Sequence, residues 1–242
     1  MLDNILSTPS IGEDVYKLID FQYSKHKWDH LIKVYTYLYE LDNDVEYLDF
    51  IIELGIITER LNAVLELVNS LIINSSQIPL DYLLKFSSIS IENGLHDIGV
   101  NSLEYILSIE KNNKAALRLL SEYYISKSMH KEALYKLNIL YKYEEKSLDI
   151  LRMIVECSLI IADNDRALFV SREAMEKFPD NIFGYLSVAR ISRFMKMFNE
   201  AKIVLYEANK LFSNNPYIYF ELGSTSIDLK MYDSASGGCH KY

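Results

Sequence analysis

Glycine and proline are scarce in this 242-residue chain, 8 and 4 respectively. A strand-rich sandwich or barrel places turn formers every 8–12 residues or so, so this scarcity excludes the all-β classes and points to helices. Cysteine is scarcer still, at 2. Cys157 lies inside an apolar stretch and Cys239 within the last four residues, so neither a disulfide framework nor a Cys-x-x-Cys metal or redox pair is available. Cys157 is expected to be an inert buried thiol. No apolar run approaches the roughly 18 residues needed to span a bilayer, and Met1–Gly12 has no basic segment followed by an apolar core. The chain is therefore expected to be cytoplasmic and not membrane-inserted. Positive charge is also short, with 25 basic against 34 acidic side chains and a net charge of −9. A partner read mainly through its phosphates, such as a nucleic acid, is not expected from that balance.

Local catalytic signatures are missing as well. There is no Gly-x-x-x-x-Gly-Lys loop, Gly-x-Gly-x-x-Gly fingerprint, Gly-x-Ser-x-Gly elbow or His-Glu-x-x-His helix. The expectation is no enzyme, no cofactor and no metal. His26 and His30 have a His-x-x-x-His spacing, but the helical phase puts His26 in a turn and His30 on the helix after it. Trp28 is read as core. His96 and His130 are read as turn packing, and the Tyr35, Tyr37, Tyr39 cluster as cover for an exposed edge.

What the chain does have is 50% hydrophobic residues arranged with a period of 34. Blocks starting at Gly12, Glu46, Leu80, Lys114, Leu148, Ile182 and Pro216 place Leu18, Ile52, Phe86, Leu120, Ile154, Val188 and Leu222 at their seventh position. The twentieth position holds Leu31, Leu65, Gly99, Ala133, Ala167, Ala201 and Ala235. Five of these seven are small, as two closely approaching helices require. Within a block, Leu117, Leu120, Tyr124 and Ile125 follow the helical period, and Ala133, Leu134, Leu137, Leu140 and Tyr141 repeat it after a short break. Each block thus reads as a helical hairpin. Its inner turn falls near Gly94, Ser128, Asp163 or Lys196, and its outer turn near Asn112, Pro179 or Asn214.

The fourth to seventh blocks resemble the tetratricopeptide repeat, whose 34 residues carry aromatic-x2-Leu-Gly-x2-Tyr, then Ala-x3-Phe, then Pro. The seventh block has Tyr219-x2-Leu222-Gly223 and Ala235; the fifth has Ala167, Ala174 and Pro179; the sixth has Tyr185, Val188-Ala189, Ala201, Leu205 and Ala208. The organisation read from this is a leader at 1–11, two degenerate acidic repeats at 12–79, and tetratricopeptide repeats at 80–242 with the last incomplete. The resemblance implies an all-α, right-handed superhelical solenoid of antiparallel helix pairs, whose first helices line a concave groove.

Carried onto this chain, the family's groove positions give Arg118, Glu122, Arg152, Glu156, Arg190, Arg193, Phe194 and Phe220, with Phe183, Tyr217 and Ile227 beside them. Two readings follow. In one, Arg118/Glu122 and Arg152/Glu156 are i, i+4 ion pairs on solvated helices. In the other, Arg152, Arg190 and Arg193 receive a peptide carboxylate while Phe194 and Phe220 pack its apolar side chains. The five-residue carboxylate clamp that some members use on chaperone tails is absent, its places being Arg118, Glu122, Met153, Phe183 and Ser187.

The resemblance implies a non-enzymatic scaffold or adaptor that binds a protein or peptide partner. Two alternatives are the regulatory or substrate-binding part of a larger enzyme, such as a glycosyltransferase, and a self-assembling structural protein. Charge divides along the chain, with 6 basic and 18 acidic side chains through residue 110 and 19 and 16 beyond it. That split suggests two surfaces with different tasks, or recognition between copies. Helix two of the seventh block, which should follow a turn near residue 230, meets Gly237-Gly238. It is expected to fray there and to leave an uncapped face, either because the sequence continues in a longer protein or because a second copy covers it.

Overall fold

The computed structural model describes residues 13–74, 78–144 and 146–238, without the side chains of residues 13–16, 18 and 231–238. The leader at 1–11 and Cys239 lie outside the described residues. Thirteen helices and no strand occur among the described residues. The chain divides into two compact units, Met1–Ala116 and Leu117–Tyr242.

The first unit contains α1 (Glu13–Ser24), α2 (Trp28–Asp42), α3 (Val45–Ile57), α4 (Leu61–Asn74), α5 (Leu80–Glu92) and α6 (His96–Ile109). Its core joins Tyr39, Leu48, Ile51, Ile52, Val64, Leu65, Val68 and Phe86, all buried. Tyr39 is thus part of the core and no edge cover. Tyr35 stacks on Tyr47 and on Phe50, with ring centroids 6.3 and 5.1 Å apart. These aromatics fasten the first hairpin to α3. Trp28 is half-buried at the start of α2, in edge contact with Tyr23 and His26, so the expectation that it is core does not hold.

The second unit contains most of α7 (Lys114–Ser126), in which the division falls, followed by α8 (His130–Tyr143), α9 (Leu148–Ile160), α10 (Asn164–Lys177), α11 (Ile182–Phe194), α12 (Phe198–Leu211) and α13 (Pro216–Gly238). Successive helices from α8 to α13 pack pairwise, and α11 also contacts α13. The periodic residues form this unit's core: Leu120, Ala133, Ile154, Ala167, Val188 and Ala201 are all 2% exposed or less. Cys157 is buried and unpaired, and burial pushes its thiol up from the ordinary range.

One device makes every inner turn. His26, Glu59, Gly94, Ser128, Ala162 and Lys196 have φ between +54° and +84°. In each case the amide of the next residue bonds back to a carbonyl five positions earlier: Lys27 to Gln22, Arg60 to Gly55, Leu95 to Ser90, Met129 to Tyr124, Asp163 to Ser158 and Met197 to Ser192. This closure satisfies carbonyls at the helix end and reverses the chain. Outer turns are closed by caps. The side chains of Asp44, Asn113, Ser147, Asn181 and Asn215 accept amides from the first turn of the following helix.

These markers correct the expected phase in one place. The second block begins at Val45, one residue before Glu46, and runs 35 residues to Pro79, so the block before it is one short. The shift brings Gly55 opposite Val64; a Cβ on Gly55 would lie 2.9 Å from that of Val64. The close approach that appeared to be missing from this block is therefore made by a glycine on the first helix. The seventh block departs further. No turn forms near Lys230, and α13 runs unbroken from Pro216 to Gly238. The expected second helix is replaced by one continuous helix. The side chain of Ala235 lies outside the described residues.

Neighbouring second helices are tied by polar links. Lys177 Nζ donates to the Tyr141 hydroxyl at 2.7 Å and pairs with Glu173 at 2.9 Å, and that hydroxyl donates to Glu173 at 2.8 Å. The hydroxyl and the carboxylate hold the Lys177 ammonium above its usual range. Arg172 pairs with Glu200, and Arg166 donates to Asn138. Tyr141→Phe removes the hydroxyl at the centre of the first link. It is expected to cost about 1 kcal/mol in urea unfolding followed by circular dichroism; an unchanged midpoint would show that water replaces it.

Candidate functional site

The first helices of the second unit carry the sequence-predicted groove residues. Arg118 lies on α7, Arg152 and Glu156 on α9, Arg190, Arg193 and Phe194 on α11, and Phe220 on α13. The structure gives the arginines partners beyond their own helix. Arg118 Nη2 pairs with Glu144 at 2.9 Å, not with Glu122. Arg152 donates to Asn181 Oδ1 at 3.5 Å, and its guanidinium lies 4.7 Å from the centroid of the Phe183 ring. Glu122 and Glu156 remain exposed. The i, i+4 pairing read for Arg118/Glu122 and Arg152/Glu156 is thus replaced by links to other helices: Arg118 to the end of α8 in its own repeat, and Arg152 to the cap and first turn of α11.

The densest link joins α11 to α13. Arg190 Nε donates to Glu221 Oε1 at 2.6 Å, and Arg193 Nη2 lies 3.2 Å from Glu221 Oε2. Arg193 Nη1 reaches Asp228 at 3.3 Å. The Glu221 side chain is 4% exposed. A buried carboxylate needs such pairing, because desolvation strongly disfavours an isolated charge. Glu221 is an acid that sequence reasoning missed, and it changes the role of two arginines. Arg193 is committed to Glu221 and Asp228. Arg190 is engaged through Nε alone, and its side chain is 52% exposed. Its two terminal nitrogens keep donors for another group.

Around these cations the apolar side chains are solvent-facing. Phe194 is 74% exposed and Phe220 67%, with Tyr217 and Ile227 on α13 and Leu159 on α9 also exposed. Exposed apolar side chains scattered singly need no explanation, but several on successive first helices form the kind of surface that binding sites use. No group of three or more potential metal ligands occurs among the described residues. No helix of the described residues is long and apolar enough to cross a membrane.

No protein-family model matches the chain, and no curated protein matches it either. Solved structures do. A crystal structure of MamA protein superposes with a TM-score of 0.54 at 13% identity, covering 65% of this chain and 86% of that one. A MamA AMB-1 structure gives 0.54 at 16%, covering 71% and 95%. YrrB, described as a TPR protein with an unusual peptide-binding site, gives 0.50 at 15%, covering 63% and 82%. Likeness at these identities concerns the fold, and it agrees with the 34-residue period, the small residues at the helix crossings and the repeated inner turn. The chain is all-α, with the tetratricopeptide-repeat fold of successive antiparallel helix pairs.

Proposed function

We propose that the protein is a non-enzymatic interaction scaffold, and that the first-helix face of the second unit holds a segment of a partner protein. The observation that carries this reading is the exposure of Phe194 and Phe220 beside arginines already fixed by inter-repeat bonds. Aromatic side chains and arginine are the most frequent anchors of protein interfaces. Fixing a guanidinium before binding reduces the side-chain ordering that association would otherwise cost. In this arrangement Arg190 meets a partner carboxylate through its terminal nitrogens, while Phe194, Phe220 and Ile227 take apolar side chains. Arg118, Glu122, Arg152 and Glu156 belong to the same face and contribute charge of both signs along it. The peptide-binding site named for YrrB supports the reading by likeness of fold.

The test is affinity purification with the intact chain against Phe194→Ala combined with Phe220→Ala. Recovery of a captured partner is expected to fall by about tenfold or more. The thermal unfolding midpoint should stay within about 2 °C of the parent, because neither ring is buried. Equal recovery from both forms would place the contact elsewhere.

A further inference from the structure

A second site lies in the first unit. The inner turns of the first two repeats, residues 25–27 and 58–60, flank a cleft of about 420 Å³. His26, Lys27, Trp28 and Asp29 line one side, and Thr58 and Arg60 the other. The unit is acidic, with 8 basic against 18 acidic side chains through residue 116. Three of those eight cations, Lys25, Lys27 and Arg60, fall on these two short turns together with His26. Lys27 and Arg60 line the cleft itself, while Lys25, on the same turn, lies over the Phe21 ring.

We propose that this cleft binds a phosphate-class oxyanion, either free or as a monoester. Arg60 and Lys27 supply the charge. Arg60 Nη1 is bound to Asp29 at 2.9 Å, and both side chains are exposed. This bond neutralises the one carboxylate of the cleft and aims the guanidinium, whose fork retains further donors for oxyanion oxygens. Lys27 is exposed and has no carboxylate partner among the described residues. The imidazoles of His26 and His30 also line the cleft. His30 Nδ1 lies 3.4 Å from Gln22 Oε1, which places His30 at the cleft through a buried amide. The His26 ring meets Trp28 edge-on with centroids 5.2 Å apart. These rings form an aromatic wall against which the organic part of a monoester can lie. The positions of His26 and Arg60 follow from the turn device, since His26 occupies the left-handed residue of one turn and Arg60 follows that of the next.

The chain contains a single tryptophan, so Trp28 fluorescence reports on this cleft alone. Potassium phosphate titrated into the full-length protein is expected to change Trp28 emission saturably in the millimolar range. Potassium chloride at equal ionic strength should not. Lys27→Gln is expected to weaken the response about tenfold while leaving the unfolding transition in place, because its ammonium holds nothing together. Arg60→Gln should weaken it at least as much. Phosphoserine titrated in parallel separates the sources: tighter binding than inorganic phosphate assigns the site to a monoester, and the reverse to the free ion. A non-saturable change, the same response to acetate, or titrations indistinguishable between the parent and Lys27→Gln would overturn the proposal.

Discussion

Replacing Arg190 and Arg193 together with alanine is expected to destabilise the second unit by about 3 kcal/mol, although both side chains lie on the first-helix face. The cost arises at Glu221. Its carboxylate is 4% exposed and meets Arg190 at 2.6 Å and Arg193 at 3.2 Å. Removing both guanidinium groups leaves a buried charge with no counterpart, and such a loss typically costs 3–5 kcal/mol. The lower end applies because both arginines are partly exposed, and their removal opens a path for water to the carboxylate. A third substitution separates this cause from lost packing. Glu221→Gln in the same background is expected to recover about half of the loss, since a neutral amide is much cheaper to bury than an unpaired carboxylate. Urea unfolding of the parent, the double arginine variant, Glu221→Gln alone and the triple variant measures the cycle. A loss below about 1 kcal/mol for the double variant would mean that Glu221 is hydrated.

This coupling also determines how the binding face should be probed. An arginine double variant that fails to capture a partner does so through a loosened α11–α13 contact as readily as through lost recognition. Phe194 and Phe220 are better probes because both are largely exposed.

The architecture was legible in the sequence because it repeats. Seventh-position residues such as Leu120, Ile154 and Val188 and twentieth-position residues such as Ala133, Ala167 and Ala201 are buried as their spacing requires, since a residue facing the next helix in one hairpin faces it in all. The ion pairs of the first helices were not legible by the helical rule. An i, i+4 argument sees partners on one helix, but a side chain of a stacked hairpin also faces the second helix of its own repeat and the first helix of a neighbouring one. Arg118 with Glu144, Arg190 with Glu221, Arg193 with Asp228 and Lys85 with Asp49 are separated by 26, 31, 35 and 36 residues. The last three lie near one repeat length, so searching for opposite charges about 34 apart would have found them, whereas Arg118 reaches the end of the second helix of its own repeat. The shifted second block was hidden for a different reason. The extra residue is absorbed between α4 and α5, outside the elements that carry the periodic signal. The turn sequence is equally permissive: five of the six left-handed positions are His, Glu, Ser, Ala or Lys, and the closing bond from the next residue compensates for a conformation that glycine would adopt more easily.

Gly184→Ala is expected to cost about 2 kcal/mol, and Gly223→Ala to gain up to about 1 kcal/mol, although both exchange a helical glycine for the best helix former. A Cβ on Gly184 would stand 2.5 Å from the Met175 amide nitrogen and 2.6 Å from its Cα. Those are backbone atoms within α10, and no rotamer change can move them. The helices must separate, and overpacking of this kind costs about 1–3 kcal/mol or more, which outweighs the propensity gain. Gly223 occupies the place where the repeat pattern calls for close approach of a second helix. Yet α13 does not turn back, and a Cβ there meets nothing within 4 Å. With no neighbour to crowd, only the backbone entropy of glycine remains to be gained. Thermal unfolding of the two variants decides the matter: opposite shifts in midpoint support the unbroken course of α13, whereas a destabilised Gly223→Ala would mean that a second helix packs against that residue in solution.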